Sequence, residues 1–345
     1  MKIGFSRVAR DFGLAELGFL LAGVLIAAMA QEASGQGYRN QFVPYSTVGF
    51  GVGTSNYYGD MAPYRRVFPS TFKMMRWSVT GEYTRHFSPR FAARASLTWA
   101  RIAGDDYLMN RSGRQAHQGF FIRNLHFRND IKELSAVGIY KLVPDGRSYD
   151  RRPQFGAYLF AGVALFAHNP KARLPVPAGS QEKQRWVALQ PLGTEGQGRE
   201  GQDKLYSLVG FAIPVGVGLR YKINPKFDIG AELGFRFTTT DYLDDISKAY
   251  PDPAVWASGA DPVQAQQMSF RSFEAQPARF PKKERTEILR KYLGLTEAED
   301  PYGYLAGNPQ LLTRGNNARQ MDTYMTGTIK LVYVLGPSVK CPPLK

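Results

Sequence analysis

A strict period of two between Phe227 and Thr238 constrains the fold of this chain more than any other feature. Large or apolar side chains alternate there with glycine and charged residues, among them Glu232 and Arg236. Because successive side chains of a β-strand point to opposite faces, the pattern predicts a strand with one apolar and one polar face. A soluble sheet can alternate in the same way, but charge and glycine together favour a transmembrane barrel with a narrow, wet interior.

Seven further stretches alternate similarly, which gives eight predicted strands. The fourth, from about Leu125 to Leu142, changes phase between Ile131 and Leu134, and a β-bulge would explain the slip. The fifth is apolar on both faces, so the sequence leaves its lipid-facing side open. The seven stretches begin near Tyr45, Arg76, Phe91, Leu125, Gln154, Val209 and Met321.

The connections between these strands alternate in length. Turn residues such as Ser88-Pro89 and Asn224-Pro225 close the short connections, whereas those after the odd-numbered strands are long. An outer-membrane barrel has tight periplasmic turns and larger extracellular loops, and a soluble sandwich has no reason to sort its loops this way. We therefore expect an all-β protein, an eight-stranded antiparallel up-and-down transmembrane β-barrel with long extracellular loops.

The start of the chain predicts export. Lys2, Arg7 and Arg10 precede an apolar run from Leu17 to Ala27, and small residues follow it. The run is shorter than the roughly 20 residues of a spanning helix, so we expect a cleaved signal peptide and location in the outer membrane; an uncleaved anchor is the alternative. The predicted organisation is a signal peptide at 1–30, an N-terminal segment at 31–44, a barrel at 45–336 with a large fourth external loop at 241–320, and a C-terminal tail at 337–345.

Charge and cysteine content exclude several functions. The net charge is +15, but the basic residues are spread along the chain instead of forming one stripe, which argues against a nucleic-acid partner. Cys341 is the single cysteine, so there is neither a disulfide framework nor a paired-cysteine metal site. We expect no cofactor.

Charged residues within the strands should face the interior. Arginine or lysine on the lipid face at mid-membrane costs about 2–4 kcal/mol. Eight strands enclose a space that side chains nearly fill, so these charges must pair with each other, which argues against a general porin. The predicted lumen charges are Glu82, Arg94, Arg220, Glu232, Arg236 and Lys330.

An acidic cluster follows the seventh strand. Asp241, Asp244 and Asp245 lie within five residues at its end. Three carboxylates could bind Ca²⁺. Alternatively they accept backbone N–H groups and pair with loop arginines, which is the arrangement that we expect.

The histidines give no clear catalytic pattern. His86, His117, His126 and His168 have no metal-ligand spacing. His126 or His168 near a serine or carboxylate could act as a base in a lipid-acting enzyme, but a lone histidine is more often a hydrogen-bonded rim residue. We expect no enzymatic activity.

The fourth loop contains one predicted helix. The sequence KKERTEILRKYLG after Pro281 places apolar residues on one face and ends at Gly294. The helix either caps the barrel mouth or binds a partner.

Several runs carry a resemblance to a known family. They are SNYYGD at Ser55–Asp60, FGAYLFAGVALF followed by HNPK at His168–Lys171, Trp186, PLGTEGQG at Pro191–Gly198, AIPVGVGLRY at Ala212–Tyr221 and TDYLDDIS at Thr240–Ser247. Together they resemble the Bacteroidetes-type outer-membrane β-barrel family that includes the type IX secretion component PorG. The long fourth loop departs from that pattern.

The resemblance implies a non-enzymatic membrane component. Its expected partners are outer-membrane lipid and lipopolysaccharide, and proteins of a periplasmic secretion ring. The candidate contact is the turn PDGRSYDRR, through Arg147, Arg151 and Arg152. Two alternatives remain, namely a surface ligand-binding or adhesion barrel that acts through the fourth loop, and a lipid-acting enzyme.

Overall fold

Eight long antiparallel strands close into a barrel in the computed structural model, which describes residues 42–62, 67–110, 118–176, 184–252, 254–255, 261–315 and 321–336. The terminal strands pair with each other, and pairing of β3 with β4 completes the circle, so the predicted barrel is confirmed. The predicted signal peptide, the predicted C-terminal tail and Cys341 lie outside the described residues. The barrel strands are β1 (Tyr45–Tyr58), β2 (Arg76–His86), β3 (Phe91–Asp105), β4 (His126–Lys141), β5 (Phe155–Ala167), β8 (Val209–Lys222), β9 (Phe227–Thr238) and β10 (Thr323–Leu335).

The strands are strongly staggered. A path along paired residues that leaves β1 at Ser46 returns to β1 at Asn56, so one circuit shifts the register by ten residues. In a barrel of eight strands, stagger and tilt together set the diameter, and the interior is just wide enough for side chains to fill. The path runs through Ser46, Arg85, Ala93, Gly138, Ala161, Val215, Phe235, Met325 and Asn56.

An apolar band surrounds the barrel. Phe50, Leu97 and Phe211 point outward and are 62%, 66% and 65% exposed. A continuous apolar surface of this kind is unfavourable in water and suits the hydrocarbon layer of a membrane. Trp77 and Trp99 pack edge to face near the loop end of the band. Within the described ranges, no helix is long and apolar enough to cross a membrane.

Strand β4 is continuous, so the predicted β-bulge is wrong. Its register with β3 runs unbroken from His126 to Tyr140. Ile131 points inward and is fully buried, and Leu134 points outward. The apparent slip arises because the inward-facing side chains Phe127 and Ile131, near the long loops, are apolar, whereas the next inward-facing side chain, Glu133, is charged.

Short and long connections lie at opposite ends of the barrel. Residues 87–90, 142–154 and 223–226 form the short ones. The long connections, at 59–75, 106–125, 168–208 and 239–322, are here called the external cap. The cap contains the β6 (Lys171–Arg173) and β7 (Trp186–Ala188) hairpin and helices α1 (Val67–Met74), α2 (Asp106–Asn110), α3 (Gln118–Arg123), α4 (Pro262–Ser269), α5 (Thr286–Leu293) and α6 (Pro301–Gly307).

Helix α5 is the one predicted in the fourth loop, and it ends at Gly294, whose φ is 70°. Leu289 and Tyr292 on its apolar face are buried against Phe121 of the second long loop. The helix therefore uses its apolar face to pack the loops together above the barrel mouth.

Candidate functional site

Four charged side chains form a closed network in the lumen. Glu82 and Glu232 bind Lys330 Nζ at 2.8 and 2.7 Å, and Arg94 lies 3.3 Å from Glu82 and also bonds to Glu232. The Tyr158 hydroxyl donates to Glu232 at 2.6 Å. We call Glu82, Arg94, Glu232 and Lys330 the lumen quartet. Two cations balance two anions, so a network removed from bulk water remains neutral.

Glycine makes room for the large side chains of the lumen. A Cβ atom on Gly218 would lie 2.2 Å from Tyr158 Cζ, far inside van der Waals contact. On β1, a Cβ atom on Gly49 would lie 2.9 Å from Glu82 Cγ. The glycines that alternate with apolar residues in the sequence thus face bulky partners across a narrow barrel.

Arg236 and Arg220 complete the set of six predicted lumen charges, and both point inward. Arg236 Nε lies 3.1 Å from Glu133, which also accepts from the Tyr324 hydroxyl. Arg220 Nη2 lies 2.8 Å from Asp145, nearer the short turns.

A second ion-pair group closes the short-turn end of the barrel. Asp145 accepts from Lys141 Nζ at 2.5 Å and from the Tyr45 hydroxyl at 2.7 Å, and Arg152 binds Asp228 at 2.9 Å. We call Tyr45, Lys141, Asp145, Arg152, Arg220 and Asp228 the floor cluster. The cavity between the floor cluster and the lumen quartet measures about 60 Å³. Such a space holds a few water molecules and is not a pore.

Arg152 was predicted as a partner contact, and the structure corrects this. Its side chain is buried because it reaches into the barrel to pair with Asp228. Arg147 and Arg151 on the same turn are exposed. The sequence does not reveal that Arg152 points inward, because several arginines in a polar turn are typical of a solvent-exposed surface.

The two motifs TEGQG and TDYLDDIS meet within the external cap. Glu195 accepts from the backbone N–H groups of Ser247 and Lys248 at 3.0 and 3.1 Å. Arg314 binds Glu195 at 3.0 Å and Asp245 at 3.2 Å. We call Thr194, Glu195, Asp245 and Arg314 the cap junction. In the acidic cluster itself, Asp245 pairs with Arg314 and Asp244 accepts from the Ile246 backbone N–H at 2.9 Å, which is the arrangement expected from the sequence for these two residues.

Asp244 and Asp322 flank the Tyr57 hydroxyl, with oxygen distances of 2.6 and 2.9 Å. A phenol carries one proton, so it can donate to only one of the two carboxyl groups, and the other must supply a proton of its own. Burial raises the pKa of both carboxyl groups well above the usual range. Both carboxyl groups are therefore protonated more readily than a solvent-exposed aspartate.

Asp241 lies beside this pair and is also buried. Burial raises its pKa to about 8, partly offset by a hydrogen bond from Ser247 and reinforced by Asp60. Burial also raises the pKa of Asp245 to about 6, against the opposing effect of Arg314. Within the described residues, no group of three or more His, Cys, Asp or Glu side chains is arranged to hold a metal ion.

Stability of the cap should fall as pH rises from 5 to 8. An acid whose pKa is higher in the folded than in the unfolded state binds more protons when folded, so its contribution is lost as pH increases toward the folded pKa. We expect a slope on the order of 1 kcal/mol per pH unit and a shallower slope in Asp241→Asn. The urea concentration at which half of the cap is cleaved by a protease, measured at pH 5.5 and at pH 8, gives the change in cap stability. A cap that is more stable at pH 8 would contradict the assignment.

The histidines that the structure describes are hydrogen-bonded interior residues. His168 Nε2 donates to the Ser207 carbonyl at 3.1 Å, which leaves Nδ1 to accept from Asn129 at 3.3 Å. Burial lowers the pKa of His168 to about 4. His126 Nε2 accepts from the Arg173 backbone N–H at 3.0 Å. His86 stacks on Tyr45, and His117 lies outside the described residues.

Comparison with known proteins gives a family match and several loose structural neighbours. Residues 38–185 match the model of a family described as Domain of unknown function (DUF6089). No curated protein matches the chain.

Three solved structures illustrate the structural neighbours. Ail, the attachment invasion locus protein of Yersinia pestis, solved with the heparin analogue sucrose octasulfate, is 8% identical, with a TM-score of 0.33 over 85% of this chain and 99% of that chain. Neisserial surface protein A is 7% identical, with a TM-score of 0.33 over 83% and 96%. The outer membrane protein OprG of Pseudomonas aeruginosa is 8% identical, with a TM-score of 0.29 over 86% and 98%. These superpositions are loose, and the barrel assignment rests on the strand pairing itself.

Proposed function

We propose that this chain is a non-conducting outer-membrane barrel that acts through contacts at its two ends and has no enzymatic activity. The filled interior carries the proposal, because the lumen quartet and the floor cluster leave a cavity of only about 60 Å³. The predicted export signal and the apolar band support the outer membrane as its location.

The reconstituted protein should show no steady conductance in planar lipid bilayers. The lumen quartet blocks the passage with side chains from four strands, and the floor cluster blocks it again below. Single-channel recording at neutral pH tests this, with a general porin as the positive control. Stable steps in the nanosiemens range from wild-type protein would contradict a filled lumen.

The finer proposal is a PorG-like component of type IX secretion that contacts a periplasmic ring through the turn at 144–152. Arg147 and Arg151 are exposed on a turn that the rest of the barrel holds in place. The Asp145 N–H donates to the Pro89 carbonyl at 2.9 Å, and the Arg147 carbonyl accepts from Val43 N–H at 2.9 Å. A turn fixed in this way loses little conformational entropy on binding, which favours a protein contact.

Replacing Arg147 and Arg151 with glutamate should abolish recovery of ring proteins in a pull-down. The substitution reverses two exposed charges and leaves the buried Arg152 in place, so the barrel should still fold. Lys226→Glu is the matched control, because Lys226 is exposed on another short turn at the same end. Unchanged recovery with the double variant would refute the contact, and so would equal loss with the control.

The second candidate is a surface-binding barrel that uses the fourth loop. The observation that favours it is that this loop is folded: the buried Arg285 donates to the carbonyls of Ser272 and Phe121 at 2.9 and 2.7 Å and so joins the fourth loop to the second. The secreted proteome of a deletion strain separates the candidates. Loss of many exported proteins supports the secretion component, and loss of ligand or cell binding alone supports the surface-binding barrel.

A further inference from the structure

Five arginines line one cavity on the outside of the barrel, at the loop end of β2, β3 and β4. The cavity measures about 210 Å³, and Trp77 and Trp186 also line it. Arg76, Arg101 and Arg128 belong to barrel strands, whereas Arg173 and Arg279 come from the external cap. We call the five residues Arg76, Arg101, Arg128, Arg173 and Arg279 the arginine pocket.

The arginine pocket has more positive than negative charge. Arg101 binds Asp130 through two nitrogens, at 2.6 and 3.1 Å, and Arg279 lies 3.6 Å from Asp105. Within the described part of the chain, the other three arginines have no carboxylate within ion-pair distance. Two carboxylates against five guanidinium groups leave an excess of about three positive charges.

These three arginines form few hydrogen bonds: Arg76 Nη1 donates to the Met75 carbonyl at 2.6 Å, and Arg173 Nη1 donates to Gln184 and to the Arg279 carbonyl at 3.5 and 3.4 Å. The Nε atoms of Arg128 and Arg173 are buried and have no partner in the described structure. Burial lowers the pKa of Arg173, and repulsion from Arg279 adds to the effect. Arg128 and Arg173 lie over the face of Trp186, at 4.2 and 5.1 Å from the ring centroid, which holds them in place without neutralising them. Like charges held together in this way favour an anion between them.

The level of the arginine pocket relative to the membrane follows from the tryptophans. Tryptophan prefers the headgroup level of a bilayer, and Trp77 and Trp99 mark the loop end of the apolar band. Arg101 follows Trp99 on the same outward face of β3 and lies over Trp77, 5.3 Å from the ring centroid. The arginine pocket therefore lies immediately above the hydrocarbon layer.

We infer that the arginine pocket binds the phosphorylated headgroup of an outer-leaflet glycolipid. Guanidinium groups bind phosphate oxygens in a forked, two-point geometry, and a phosphate group would supply acceptors for the unpaired nitrogens. The cavity opens at the level where such headgroups lie. This inference rests on the proposed outer-membrane location but is independent of the secretion role.

Binding of defined lipids to the purified full-length protein in detergent micelles tests the inference. The probes are lipid A with both phosphates, the same lipid after dephosphorylation, and inorganic phosphate. Phosphorylated lipid A should bind at least tenfold more tightly than the other two probes. Arg128→Gln and Arg173→Gln should each weaken it by about tenfold, because each removes a charge-assisted hydrogen-bond donor. High salt should weaken binding of lipid A to the wild-type protein, and this test does not require any variant to fold.

Arg85→Gln is the matched control, because Arg85 is half-buried on β2 at the opposite end of the barrel. Equal binding of phosphorylated and dephosphorylated lipid would overturn the inference, and so would an equal loss of affinity in the control. Inorganic phosphate that binds as tightly as lipid A would identify a free anion as the ligand and overturn the lipid assignment. None of these results depends on secretion or ring binding, so the two proposals can fail separately.

Discussion

Replacing Glu232 with alanine is expected to lower the free energy of unfolding by about 3–5 kcal/mol. In the wild-type barrel this carboxylate accepts from Lys330 at 2.7 Å and from Tyr158 at 2.6 Å, and it also bonds to Arg94. Without it, two buried cations share the single negative charge of Glu82. The lumen then contains an unbalanced charge that is removed from bulk water. Urea unfolding in detergent micelles, followed by tryptophan fluorescence, measures the loss.

A double-mutant cycle with Lys330→Met separates pairing from packing. The combined variant removes one charge of each sign and leaves Arg94 beside Glu82 at 3.3 Å. Its cost should therefore be smaller than the sum of the single costs by about 1 kcal/mol or more. Glu297→Ala is a suitable control, because this carboxylate is exposed on the cap and its removal should cost less than about 0.5 kcal/mol. A Glu232→Ala barrel as stable as the control would refute the network.

Replacing Arg314 with methionine should unfold the cap locally while the barrel stays closed. Arg314 is 2% exposed and balances Glu195 and Asp245 at the cap junction. Loss of one partner from a buried ion pair typically costs about 3–5 kcal/mol, because the remaining charges keep their desolvation penalty. Most of that cost should fall on the cap, since the junction lies outside the barrel strands. Limited trypsin digestion should then cleave the fourth loop and spare the barrel fragments.

The control for this variant is Arg290→Met, a half-buried residue of α5. Arg290 pairs with Glu287 near the surface, where an ion pair contributes about 0–1 kcal/mol. Its digestion pattern should match that of the wild type. If the cap of Arg314→Met resists trypsin as well as the cap of Arg290→Met does, the cap junction does not hold the loops.

The barrel could be predicted because a lipid environment imposes a rule on every residue of a spanning strand. Charges on β9, β10 and their neighbours had to face inward, and the structure places all six of the predicted ones there. The rule weakens where the inner face is itself apolar. Ile131 on β4 packs inside the barrel beside Phe127, so the sequence does not alternate between apolar and polar residues there. The missing alternation suggests a bulge, but the register of β4 is unbroken.

The partners of those charges and the cap could not be predicted in the same way. Asp228 lies on the charged face of β9, but its partner Arg152 comes from a distant turn. Arg314 meets Glu195 across 119 positions of the chain, and no periodicity links loop residues that far apart. The motifs TEGQG and TDYLDDIS identified the two segments, and only the structure shows that they bind each other.

The pairing of β1 with β10 determines when this barrel can form. Tyr57 contacts Asp322 across 265 positions of sequence, so one edge of β1 stays without a partner until β10 has been synthesised. An unpaired strand edge invites aggregation, and distant contacts form slowly. The barrel can therefore close only after β10 has been synthesised. A chain truncated before Thr323 would retain an open sheet, so β10 acts as a built-in check that only a chain with all eight strands closes into a barrel.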